Sequence, residues 1–256
     1  MIIYHLRNTS IIKKSVKNLS RKRLPDQSPD VISQELIREH DIQVSESTIY
    51  RYIYDDREQG GELYKNLPHS GKPYKKKVNR GDQIKIPNRV GIEHRPAIAD
   101  EKTEFGHFEI DTVVGRDHQS YLLTLVDKAN KMCCIRKMPN KQAKTVINTF
   151  MNVVGSTFFD FKTITSDNGT EFAGHEAISK ITEADFYFAR PYRSCDRGLN
   201  EHTNGLIRRF LPKGTDFNEI SDKEIAKIEH TLNTRRRASL NYCSPNHVFL
   251  EYLMAA

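Results

Sequence analysis

No run of apolar residues approaches the ~20 that a membrane-spanning helix needs, which removes the helical membrane proteins from consideration. The opening apolar stretch, Met1 to Arg7, is too short for a secretory signal, and no small-residue cleavage site follows it. Cysteine is scarce: Cys133, Cys134, Cys195 and Cys243 make no C-x-x-C pair, so neither a zinc site nor a disulfide framework is indicated. A reducing cytosol is the expected compartment. Internal repeats and low-complexity segments are missing as well.

What is present begins with charge. The chain of 256 residues carries a net charge of +7. Residues 1–100 hold 19 lysines and arginines against 13 acids, and residues 101–256 hold 21 against 20. A basic N-terminal part on a near-neutral body points to a polyanionic partner, although a plain soluble surface can share that bias. The length allows one sizeable core and a smaller unit.

The pattern divides the chain into four stretches. Residues 1–27 are basic and weakly patterned, and read as a poorly ordered arm or a fragment of something larger. Residues 28–54 read as a helical pair. Ser28 is a good N-cap, Pro29 suits the first helical position and Asp30 complements the helix dipole. Ile32, Leu36 and Ile37 supply an apolar stripe; after a break at 40–44, Ser45 caps a second helix with Ile49, Tyr52 and Ile53 on one face. Helix, turn and capped helix make a helix-turn-helix, whose second helix would offer Ser47, Thr48 and Arg51 to a DNA groove. A helical hairpin without a DNA role has the same pattern. Residues 55–98 read as a linker rich in glycine and proline, in which Lys75, Lys76 and Lys77 could follow phosphates or simply be solvated.

From residue 99 to 256 the texture changes. Strands are expected at 107–114, 121–126 and 132–138, separated at hairpin-like distances, then a helix carrying Val146, Phe150 and Val153. A strand at 161–166, a helix near 174–182, a strand at 185–189 and helices near 198–211 and 221–236 complete the list. The fold class is α/β: a mixed five-stranded sheet with helices on its faces, preceded by the small helical unit.

Three carboxylates stand out. Asp111 interrupts the apolar run His107–Val114; Asp167 ends the 161–166 run and is followed by the turn pair Asn168-Gly169; Glu201 lies on the expected 198–211 helix. In such a sheet the first and fourth strands can be neighbours, which would bring Asp111 beside Asp167. Leu199, Leu206 and Phe210 fall on one helical stripe, and Glu201 lies roughly 200° from Leu199, off that stripe. Asn204 and Arg208 share its face. Convergent acids hold hard divalent ions through oxygen and leave positions open for phosphate, and a metal pair can cut and join phosphodiester bonds. Chemistry alone does not rank these acids above Glu109, Asp127, Glu171 and Asp196. Asp127 reads best as a turn cap, Glu171 as a helix cap or an indirect DNA contact, and His107 as a packed, hydrogen-bonded histidine.

Four stretches, in order, carry a resemblance: Gly106–Gly115, Ser120–Asp127, Thr165–His175 and Asn200–Phe217. Together they resemble bacterial insertion-sequence transposases of the DDE class, in particular the family of insertion sequence thirty, over residues 28–253. The 33 residues between Asp167 and Glu201 agree with that family. The resemblance implies an integrase-like, ribonuclease-H-type core, with Asp111, Asp167 and Glu201 as metal-binding catalytic acids and Mg2+ or Mn2+, as a pair, as cofactor. It also implies terminal inverted repeats and target DNA as partners, an oligomer assembled on DNA, and a nucleoid-associated bacterial location. Arg197, Asn204 and Arg208 are then candidate DNA contacts. The chain departs from the family in three places. The family is longer at the N-terminus and has a further helix-turn-helix there. Its loop Pro-Tyr-x-x-Trp-Gln-Arg-Gly reads Pro191 to Gly198 here, with Cys195 and Asp196 replacing Trp and Gln; the whole chain has no tryptophan. Phe108 and Ile110 stand where Trp and Gly are usual. Loss of a stacking Trp and a carboxylate near phosphate would weaken DNA engagement. Two other readings stay open: a truncated or co-opted relative that binds DNA without cutting, and a metal-dependent nuclease that cuts without joining.

Overall fold

The computed structural model describes residues 27–40, 42–67, 86–157, 160–191 and 193–255. The N-terminal arm up to residue 26 and the lysines Lys75, Lys76 and Lys77 lie outside these residues. The chain divides into two compact units, Met1–Val78 with Arg235–Ser244, and Asn79–Thr234 with Pro245–Ala256. None of the described helices is long and apolar enough to cross a membrane.

In the first unit, helix α1 (Pro29–His40) and helix α2 (Glu46–Glu58) pack around Ile32, Leu36, Val44, Ile49, Ile53, Leu63 and Leu67. Ser45 caps α2, its hydroxyl accepting from the Thr48 N–H at 3.3 Å, as its sequence position predicts. Ile37, expected in the stripe, is exposed instead. Val31, Ile32 and Leu36 define the buried arc, and the extra 100° step to Ile37 carries it outside. Residues 235–244 return to this unit: Arg236 pairs with Glu39 at 3.4 Å and Glu35 at 3.6 Å, and Arg38 lies 5.2 Å from the centre of the Tyr242 ring.

The second unit opens with a single turn of helix, α3 (Ile98–Glu101), and is built on five strands: β1 (His107–Val114), β2 (Tyr121–Asp127), β3 (Cys133–Met138), β4 (Thr163–Ser166) and β5 (Asp185–Phe188). Their order is β3-β2-β1-β4-β5, with β1, β2 and β3 antiparallel and β4 and β5 added in parallel to β1. Side-chain alternation creates two cores, one on each face. Phe108, Ile110, Leu123, Leu125 and Cys134 face helices α4 (Ala143–Ser156) and α5 (His175–Thr182). Val113, Leu122, Val126, Cys133 and Ile135 face helices α6 (Gly198–Phe210) and α7 (Asp222–Thr234). A last helix, α8 (Pro245–Ala255), joins the first of these cores through Phe249. The sequence pattern ends at the 221–236 helix and does not reveal α8, whose apolar residues are spread around its circumference rather than gathered on one face.

Candidate active site

Residues 109, 111 and 113 of β1 share one face by the two-residue period of a strand. Val113 packs in the α6 core, so Glu109 and Asp111 also point toward α6. The parallel pairing of β1 with β4 runs to Glu109 opposite Thr165, and two residues further along each strand lie Asp111 and Asp167. They are close enough for the charge of Asp167 to disfavour ionisation of Asp111.

Both aspartates are held by local hydrogen bonds. One Asp111 oxygen accepts from the Thr112 N–H at 2.8 Å, and the other accepts from the Asn204 side-chain amide at 2.9 Å. One Asp167 oxygen accepts from the Gly169 N–H at 2.8 Å, an Asx-type turn that explains why Asn168-Gly169 ends the strand. The Arg197 guanidinium sits against both, 3.3 Å from Asp111 and 3.4 Å from Asp167. Burial pushes the Asp111 carboxyl above the usual aspartate range and Asp167 adds to this, while Arg197 and the Thr112 N–H oppose it.

Glu201 lies in the first turn of α6, with its side chain exposed. Among the described residues no group of three or more His, Cys, Asp or Glu side chains forms a ready-made metal site. Polar bonds to β1 set the placement of α6. Its Asn200 N–H donates to the buried Glu109 carboxylate at 2.9 Å, an N-terminal cap supplied from β1. That bond and the Asn204–Asp111 bond turn Asn200, Thr203, Leu206 and Ile207 toward the sheet. The stripe expected from the sequence, Leu199, Leu206 and Phe210, is therefore corrected: Leu206 is buried, Leu199 only partly, and Phe210 is exposed. The polar Asn200 and Thr203 take the inner positions because the acids of β1 draw the helix round.

The other sequence candidates resolve into separate jobs. Asp127 accepts from the N–H groups of Ala129, Asn130 and Gly106, and caps the β2–β3 turn. His107 is buried between Thr163 and Glu104, 2.9 Å from each. Glu171 does not cap a helix. It is buried, accepts from the Thr112 hydroxyl at 3.0 Å and pairs with Lys141 at 2.7 Å, tying the Asp167 turn to the residue after Asp111. Asp196 is taken up by Arg190, through the backbone N–H at 3.1 Å and the guanidinium at 2.6 and 2.9 Å. Arg208 donates to the Val114 and Leu211 carbonyls and lies 5.6 Å from the Phe217 ring centre. In the other unit Ser47, Thr48 and Arg51 are exposed on α2.

Sequence reading missed Arg95 and Lys128. Both are buried, and they line a cavity of about 590 Å3 with Glu109, Gly198 and His202. Arg95 donates to Thr165 at 2.8 Å, and both cations meet Asp100. Burial lowers the Lys128 pKa and the Arg95 charge lowers it further. Glu109 is marked in the sequence by the strand-face period it shares with Asp111; Arg95 lies in a stretch that reads as linker and gives no such signal.

Residues 101–194, which contain Asp111 and Asp167, match the Integrase core domain family. The transposase for insertion sequence element IS4351 of Bacteroides fragilis is 41% identical over 247 residues, covering 96% of this chain and 74% of that protein. The transposase for IS1086 of Cupriavidus metallidurans is 34% identical over 236 residues, 88% of this chain and 69% of that protein. Transposase InsI for IS30C of Escherichia coli is 28% identical over 250 residues, 94% and 64% respectively. Among solved structures, the catalytic core domain of BIV integrase is similar with a TM-score of 0.46 and 16% identity, over 58% of this chain and 95% of that one. Identity at this level along nearly the whole chain, joined to an integrase core match over the sheet that carries the aspartates, makes this chain a member of the DDE-type insertion-sequence transposases, the family that includes the IS30 enzymes.

Proposed function

We propose that this transposase cuts DNA at the ends of its insertion sequence and joins the freed 3′-hydroxyl to target DNA, using Asp111, Asp167 and Glu201 as metal-binding catalytic acids. The observation that carries the reading is the side-by-side seating of Asp111, within β1, and Asp167, just past the end of the parallel-paired β4, with a cationic side chain held between them. Two all-oxygen ligands facing a positive charge fit Mg2+ or Mn2+. Bound there as a pair, such ions supply charge neutralisation at the scissile phosphate and activation of the attacking water or hydroxyl.

The protein's own part is positioning. Asn204 fixes one Asp111 oxygen, the Gly169 N–H fixes one of Asp167, and Glu171 braces the two acid-bearing segments through Thr112. Glu109 docks the first turn of α6, from which Glu201 reaches the pair when the substrate is in place. Arg208 and Asn204, on the same helix, line the approach of the phosphate backbone. Ser47, Thr48 and Arg51 of α2 are the groove-reading residues for the terminal inverted repeats, and Lys75, Lys76 and Lys77 add phosphate contacts. Two ends must be held together for joining, so the working form is a homo-oligomer on DNA.

The test is metal-dependent cleavage and joining on duplexes carrying the repeats that flank the gene, together with pre-cleaved 3′-hydroxyl ends. Joined products are expected from the parent protein. Asp111→Asn, Asp167→Asn and Glu201→Gln should each lower turnover by at least about 100-fold while DNA affinity is kept, since each removes charge from the reacting centre rather than from the binding surface. Cleavage without joining would replace the reading by a nuclease, and binding with neither would replace it by a DNA-binding relative.

A further inference from the structure

We propose that Arg197 is an internal competitor for the metal positions: in DNA-free protein its guanidinium holds the place of a divalent cation between Asp111 and Asp167, and it must leave before the site loads. The inference rests on the reading of those two aspartates as metal ligands. Strand register brings the two carboxylates together, Asp111 largely buried and Asp167 partly exposed, and Arg197 is the cation placed against both. Its side chain is only 15% exposed.

The seat is a loose one. The 3.3 and 3.4 Å separations exceed the 2.7–2.9 Å range of strong charge-assisted hydrogen bonds. The Nη1 atom, although buried, has no hydrogen-bond partner of good geometry. One residue earlier the opposite holds: Asp196 is gripped by the Arg190 guanidinium at 2.6 and 2.9 Å and by its backbone N–H. The turn is thus anchored at Asp196, while the next side chain has one long hydrogen bond, to Asp167 at 3.4 Å, beside its 3.3 Å contact with Asp111. Arg197 can swing out without unfastening the turn. Its planar guanidinium suits a phosphate oxygen pair, so arriving DNA gives it a new partner at the moment the aspartates need one. Metal loading and DNA binding are thereby coupled, and the coupling runs both ways.

The experiment is Mn2+ titration by calorimetry, without DNA and with a duplex carrying the flanking repeat, on the parent, Arg197→Ala, Arg197→Gln and Asp111→Asn. Without DNA, the two Arg197 variants should bind Mn2+ about tenfold tighter than the parent, within the usual span of such couplings. Their melting temperature in EDTA should fall below that of the parent and rise more on adding Mn2+. The duplex should tighten Mn2+ binding to the parent and leave the variants little changed. Equal or weaker Mn2+ binding by whichever Arg197 variant folds would overturn the proposal. Asp111→Asn separates the two levels: parent-like Mn2+ binding there would sink the metal-ligand reading itself, whereas its loss alongside unchanged Arg197 variants would sink only the competitor role.

Discussion

Asp196 sits in the turn before α6, and its carboxylate is spent on Arg190. Its side chain is 5% exposed, and the Arg190 guanidinium and N–H hold its pKa below the ordinary aspartate value. A depressed carboxylate pKa contributes stability that is present above the unfolded-state pKa and is lost as pH falls through the lower folded-state value. Asp196→Asn should therefore flatten the acid limb of the stability–pH curve and cost about 1–3 kcal/mol at neutral pH, the usual worth of a hydrogen-bonded charge; urea unfolding at pH 7 and below pH 4 measures both. Asp196→Gln should bring no gain in DNA affinity, because it breaks the clamp without removing a repelling charge from the DNA path. At this scale the sequence was legible where chemistry is local: strand period and the Asn168-Gly169 turn mark Asp111 and Asp167 as displayed acids. Arg197 between them was not legible in that way, because its partners come from segments 86 and 30 residues away.

Helix α6 is fastened to the sheet by polar bonds where the sequence offered an apolar stripe. Glu109 accepts the Asn200 N–H, Asn204 reaches Asp111 and Arg208 reaches the Val114 carbonyl, three contacts along one edge of β1. The helical period gave the extent of α6 almost to the residue, yet misjudged its rotation, since amphipathicity counts only apolar surface and β1 presents two buried acids to this helix. Glu109→Gln keeps an acceptor for the Asn200 N–H and should retain near-parental stability; Glu109→Ala leaves that N–H buried and unpaired, at a cost of about 1–3 kcal/mol. Denaturant midpoints decide between these outcomes, and equal loss in both would assign the effect to charge rather than to the cap. The strands were read nearly as they stand, because alternating and apolar runs bounded by turn residues are strong local signals. Helix α8 was not, for its apolar residues follow no single face.

Two compact units, each packed around its own buried residues, should melt as two thermodynamic parts. Leu36 is fully buried in the first unit and Phe150 in the second. Leu36→Ala and Phe150→Ala should each cost about 2–5 kcal/mol, and in calorimetry each should lower a different transition. A single transition shifted alike by both would show that the units melt as one. The sequence pattern distinguished a small helical stretch from an α/β stretch but put the change near residue 100, whereas Ile86 and Arg95, read as linker, are already buried in the second unit. The return of residues 235–244 to the first unit was not visible, because the contacts that draw it back, Arg236 to Glu35 and Glu39 and Arg38 to Tyr242, join positions about 200 apart. That return sets an order of events at the ribosome. The helix pair emerges early, but its closing piece is translated only after the entire five-stranded sheet, so a nascent chain halted before residue 244 carries an unfinished helical unit however complete its sheet has become.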